Sequence, residues 1–116
     1  MKPYPRAERV GVAIHTALSE LLSRKIDDPR VEMATISGVE VTSDLKVAHV
    51  YFTLFGSEEK VKEAIAGFIS SHGYIKKAIA PKLGLRYMPE LKFIHDKSFD
   101  YGSKIESLLN SVKKGD

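Results

Sequence analysis

Early in the chain the apolar positions recur with a helical period. Between Arg6 and Ile26, Val10, Ile14, Ala17, Leu18, Leu21 and Leu22 fall at i, i+4, i+7, i+8, i+11 and i+12, one face of an amphipathic helix. Pro29 sets its limit, because the residue ahead of a proline is pushed out of helical geometry. The pattern then changes. Met33 to Thr42 is rich in β-branched residues, Ser43-Asp44 is a turn signal, and from Lys46 to Phe55 the apolar Ala48, Val50, Phe52 and Leu54 alternate with His49, Tyr51 and Thr53. A period of two with polar and aromatic residues on the second face predicts a half-buried strand, and the two stretches predict an antiparallel hairpin.

Helical spacing returns after Gly56. Ser57 is placed to cap a helix, with Lys60 where a reciprocating box would want Glu. Val61, Ala64, Ile65, Phe68 and Ile69 form its stripe, which breaks at Ser71-His72-Gly73. The ordinary role for this glycine is a helix C-cap in the left-handed conformation. Tyr74, Ile75, Ala78, Ile79 and Leu83 resume the stripe in a second helix, with Pro81 inside it, where it removes one hydrogen bond and should bend the axis. Past Pro89, Leu91 and Phe93 on one face and Ile94 on the other predict a third strand. Ile105, Leu108, Leu109 and Val112 signal a last helix, with Ser98 or Asp100 near its start.

The expected fold class is α+β: helix, strand, strand, helix, kinked helix, strand, helix, with the helices on one face of a small three-stranded sheet. The join between the second and third strands is long enough for a parallel crossover, which would make the sheet mixed. The 116 residues suit one domain over 1–116, with a core over about 6–96 and a C-terminal helix over about 98–112.

Composition narrows the function. Hydrophobic residues are 43% and charged residues 28%, ordinary for a globular chain rather than a disordered one. No apolar run is long enough to cross a membrane and the N-terminus has no signal-peptide core, so a cytoplasmic protein with no membrane partner is expected. Cysteine is absent, which removes disulfides, thiolate metal sites and a cysteine nucleophile. The net charge of +3 is unevenly spread. Residues 71–92 carry Lys76, Lys77, Lys82, Arg86 and Lys92 against Glu90, whereas residues 31–70 carry three lysines against six acids. One part of the surface therefore suits phosphates and another does not.

Little in the chain points to catalysis. His15, His49, His72 and His95 lie in four different elements without ligand spacing, and no nucleophile elbow, P-loop or dinucleotide fingerprint occurs. The expectation is a non-enzyme with no metal, no cofactor and no small-molecule substrate, RNA cleavage being the one catalytic class left open. His49 and Tyr51, turned from the inferred core, could stack on bases, although plain exposure is the commoner role. Asp28-Pro29-Arg30 reads as a helix stop with a turn, Glu90 as half of a surface ion pair, and Asp96 and Asp100 as cap and turn residues.

The order of elements around a helix–turn–helix is the shape of a type-II KH domain, in which a GxxG loop clamps about four nucleotides. This chain has no GxxG; Ser71-His72-Gly73 stands in its place. Taken together, several pieces carry a more specific likeness. They are Arg6 and Arg9, Asp28-Pro29-Arg30, then Val39, Val41, Asp44, Leu45, Ala48 and Tyr51 in the hairpin. Gly73-Tyr74-Ile75, Pro89-Glu90-Leu91 with Phe93, Asp96, Ser98, and Gly102 before Leu108-Leu109 follow in order. In this the chain closely resembles the ribosome-binding factor A family over about Arg6 to Leu109, a family of bacterial ribosome-assembly factors with a KH-like domain kinked at Ala-x-Gly. It departs from the pattern with Ser71 in place of the alanine and with Pro81 in the basic helix.

The resemblance implies a non-catalytic factor that binds the immature small ribosomal subunit (30S) and 16S rRNA. It implies help in late maturation, including processing of the 5′ end of 16S rRNA, and importance in the cold. Lys76, Lys77, Lys82 and Arg86 would then neutralise phosphates, Arg6, Arg9 and Arg30 would extend the surface, and Ser71-His72-Gly73 would form the interhelical kink. Contacts of this kind give position and affinity rather than sequence readout. The chain is expected to act as a monomer. The rival is a protein-interaction module docking its basic end on an acidic protein.

Overall fold

The computed structural model describes residues 5–24 and 28–97. Its elements are α1 (Pro5–Arg24), α2 (Pro29–Glu32), β1 (Thr35–Val41), β2 (Val47–Thr53), α3 (Glu58–Ser70), α4 (His72–Leu83) and β3 (Glu90–His95). The strands form one sheet in the order β1-β2-β3. β1 pairs antiparallel with β2, and β2 pairs parallel with β3. The sheet is therefore mixed, as the long join through α3 and α4 suggests, and the order is that of a type-II KH-like domain. The expected C-terminal helix, and with it Ser98, Asp100 and Gly102, lies outside the described residues.

Alternation in the strands decides which face is covered. Ala48, Val50 and Phe52 of β2 are fully buried, and Leu91 and Phe93 stand in register with Ala48 and Val50. Ile14 and Leu18 of α1, Phe68 of α3 and Ile75 and Ile79 of α4 close over them, forming one continuous core. Each such side chain contributes on the order of 1.5–3 kcal/mol by leaving water. Phe68 lies stacked on Phe93 with centroids 4.4 Å apart and tilted against Phe52 at 5.1 Å, joining α3 to both strands. His49 and Tyr51 point to the opposite face and are half-buried. There, burial and the neighbouring Glu40 push the Tyr51 phenol above its ordinary pKa.

Three expectations are corrected. The stretch after α1 is not a simple stop and turn: Asp28 caps a one-turn helix, its carboxylate accepting from the Arg30 backbone N–H at 3.0 Å, with Pro29 in the first turn. The first strand is shorter than 33–42 and carries an irregularity between Ile36 and Gly38. The break between α3 and α4 sits at Ser71 (φ −93°, ψ 4°), and Gly73 lies inside the first turn of α4 without a left-handed φ, so it is not a C-cap. Asp96 stands directly before the helical Lys97, and its carboxylate accepts from the Ser37 hydroxyl at 2.6 Å, linking the end of β3 to β1. The Ser57 cap is present as expected, accepting from the Lys60 N–H at 3.3 Å.

Candidate nucleic-acid interface

The turn between β1 and β2 is held by its own side chains. Leu45 N–H donates to the Thr42 carbonyl at 2.8 Å, which closes the turn. Asp44 accepts from the Thr42 hydroxyl at 2.6 Å and from the Lys46 N–H at 3.0 Å, while Val47 N–H donates to the Thr42 hydroxyl at 3.1 Å. These hydrogen bonds, the Thr42 hydroxyl foremost, hold the Asp44 carboxyl below its usual range. They also hold Leu45 at φ 62°, a left-handed conformation that a branched residue adopts only when its surroundings impose it. Leu45 packs against the core and Lys46 is left exposed.

The loop from α4 to β3 lies beside that turn. Gly84, left-handed at φ 62°, ends α4, and the fully buried Pro89 anchors the other end of the loop. Glu90 N–H donates to the Lys46 carbonyl at 2.9 Å, tying β3 to the hairpin. Between these anchors Arg86 places its guanidinium carbon 5.6 Å from the centre of the Tyr87 ring. Arg6, in the first turn of α1, reaches the same place. Arg6, Lys46, Arg86 and Tyr87, with Asp44 and a floor of leucine and methionine, line a cleft of about 470 Å³.

The other candidate cations have different surroundings. Arg30 meets Asp28 through two parallel hydrogen bonds, Nε to Oδ1 at 2.9 Å and Nη2 to Oδ2 at 2.6 Å, and also donates to the Ser70 hydroxyl at 3.3 Å. It thus braces α2 against the last turn of α3, just before the kink. The pairing lowers the Asp28 pKa and raises that of Arg30. Close approach is possible here because α3 presents Gly67, where a Cβ would stand 2.9 Å from Val31 Cγ1. Lys82 Nζ donates to Glu20 of α1 at 3.1 Å. Arg9 and Lys77 are exposed and Lys76 is half-buried.

At the kink, Ser71 makes no side-chain cap for α4, and a Cβ on Gly73 would meet nothing within 4 Å. The start of this helix is consequently bare of side-chain bulk at Gly73, which suits close approach of a phosphate. The seven predicted cations therefore differ in their surroundings. Arg6 and Arg86 share the cleft at the hairpin end, Arg30 braces the region before the kink, and Lys82 is paired to α1. Lys46 and Tyr87 belong with the cleft but are missed by charge counting along the chain. The signals for them are local: Lys46 follows the Asp44-Leu45 turn, and Tyr87 adjoins Arg86 ahead of a proline. Among the described residues no group of three histidines or acids is placed to hold a metal, and no helix is long and apolar enough to cross a membrane.

The family model described as Ribosome-binding factor A matches residues 6–109. A ribosome-binding factor A from Desulfatibacillum aliphaticivorans is 53% identical over 112 residues, covering 97% of this chain and 91% of the relative. The crystal structure of ribosome-binding factor A from Thermus thermophilus is similar with a TM-score of 0.66 and 25% identity, covering 77% of this chain and 94% of that one. A Thermus thermophilus ribosome-binding factor A homology model, fitted into the cryo-EM map of a 30S–RbfA complex, is similar with a TM-score of 0.66 and 25% identity. There the coverage is 80% of this chain and 97% of that one.

Proposed function

The chain belongs to the ribosome-binding factor A family, and on that premise we propose that it binds the free or immature 30S subunit through 16S rRNA. In this reading residues 1–116 act in the cytoplasm as a single KH-like RNA-binding domain, as a monomer and without catalysis. The protein assists late maturation of the subunit, including processing of the 5′ end of 16S rRNA, and does so especially in the cold. The observation that carries the reading is the convergence of Arg6, Lys46 and Arg86 from three elements onto one cleft. A three-element basic surface gains affinity by displacing counterions from a phosphate backbone. The similarity to a protein fitted into a 30S complex supports the small subunit as the partner.

Lys76 and Lys77 extend the phosphate-neutralising surface along α4, beside the kink at Ser71. Arg9 adds to it from α1. Arg30 and Lys82 contribute mainly by holding helices in place, since each already has an acidic partner.

The test is co-sedimentation of the purified protein with isolated small and large subunits over a salt series. Selective binding to the small subunit that weakens steeply with salt is the expected result. Absence of binding to either subunit at low salt would overturn the proposal and favour docking on an acidic protein.

A further inference from the structure

We propose that the cleft between the β1–β2 turn, the α4–β3 loop and the first turn of α1 is a site for one unpaired nucleotide, its base against Tyr87 and its phosphate among Arg6, Lys46 and Arg86. The assignment rests on the rRNA-binding reading and sharpens it to a single ligand unit.

Four observations carry it. The cleft's volume of about 470 Å³ falls within the roughly 300–1,000 Å³ typical of small-ligand sites. Its charge is lopsided, three cations against one carboxylate, and Asp44 is already engaged with the Thr42 hydroxyl and the Lys46 N–H. Tyr87 is 77% exposed, which leaves its ring open to a ligand, and Arg86 lies over it. Base stacking on an aromatic ring, reinforced by a planar guanidinium, is how proteins hold splayed-out bases. Finally, the site is preorganised: Gly84 and buried Pro89 fix the loop, Leu45 is locked in its left-handed turn, and the Glu90 to Lys46 hydrogen bond joins the two walls.

The apolar lining distinguishes this ligand from others with negative charge. An acidic peptide or a duplex backbone could satisfy the cations, but neither would cover Tyr87 and the floor of Leu45, Leu85 and Met88. An unpaired nucleotide does both with adjacent parts of one molecule. Bases within an A-form duplex are stacked and unavailable for such contact.

The test is an amide-resonance NMR titration of the full chain with adenosine monophosphate, with ribose phosphate and a hexaglutamate peptide as comparators. The resonances of Leu45, Lys46, Arg86 and Tyr87 should move together and saturate with the nucleotide. Tyr87→Ala should weaken nucleotide binding roughly tenfold, while Tyr87→Phe, which keeps the ring, should stay within about twofold. Equal affinity for all three ligands, indifferent to Tyr87, would overturn the proposal and leave an anion-attracting patch. Co-sedimentation of the same protein separates this failure from the broader one. Binding to the small subunit without nucleotide-induced shifts at the cleft would overturn the nucleotide site alone. Failure to bind the subunit would overturn the rRNA reading itself.

Discussion

A Cβ on Gly11 would stand 2.9 Å from the carbonyl oxygen of Val39, so α1 lies against β1 at a separation that glycine permits and a larger residue does not. The obstacle is backbone and cannot rotate away. Alanine is the better helix former by about 1 kcal/mol, but forcing a packed element aside typically costs about 1–3 kcal/mol. Gly11→Ala is therefore expected to lower the urea midpoint at unchanged slope. A raised midpoint would mean that α1 slides on the sheet freely.

Gly73→Ala should act in the opposite direction. The residue is helical, has no left-handed φ, and its Cβ would enter open space. Stability should rise by about 0.5–1 kcal/mol from the helix preference alone. The same unfolding measurement checks it, and a fall would contradict the open geometry at the start of α4.

Phe68 offers the strongest test of the core. It is fully buried and touches both Phe52 and Phe93. Phe68→Ala should cost about 3–5 kcal/mol, enough to bring a small domain close to unfolding. Thermal unfolding should show a large loss; a loss no bigger than that of an exposed phenylalanine would place the core elsewhere.

Acid should weaken the fold through Asp28 and Asp44. Both carboxyls have folded pKa values below their usual range, Asp28 chiefly through Arg30 and Asp44 chiefly through the Thr42 hydroxyl. Their stabilisation is fully present above the unfolded value of about 3.9 and is lost as pH falls through the lower folded values. Unfolding curves from pH 6 to pH 2 for wild type, Asp28→Asn and Asp44→Asn should converge at the acid end. Curves that remained parallel throughout would contradict these assignments.

The cations should separate by partner. Lys46→Gln and Arg86→Gln should each reduce the slope of log affinity against log salt for small-subunit binding by about 1. Charge reversal at Lys76 and Lys77 should weaken that binding as well. Arg30→Gln and Lys82→Gln should change the slope less, because Asp28 and Glu20 already neutralise those groups. Equal effects at all six positions would mean that the internal pairs open when the subunit binds.

Much of the fold was legible because the periodicities are local. Val10, Ile14 and Leu18 recur at helical spacing and Ala48, Val50 and Phe52 at strand spacing, and each set is buried. The Ser57 cap needed only Lys60, three residues on. The break after α3 was visible in Ser71-His72-Gly73, but its position was not: a glycine suggests a left-handed cap, whereas the turn is made at Ser71. Asp28-Pro29-Arg30 was similarly ambiguous, since the ion pair that braces the short helix also involves Ser70, forty positions away.

The candidate site was half legible. The chain's charge distribution and its likeness to a known family single out Arg6, Lys76, Lys77 and Arg86, because charge and motif order are properties of the sequence. Lys46 and Tyr87 gained their significance from distance in space rather than along the chain. The parallel pairing of β2 with β3 brings the α4–β3 loop to the β1–β2 turn, and α1 adds Arg6 from the far end of the sequence. Periodicity could determine which residues face the core, since burying apolar surface is decided by spacing. Only the tertiary structure could decide which cations meet one another and which meet an acid, since electrostatic partnership depends on where the packed elements place their ends.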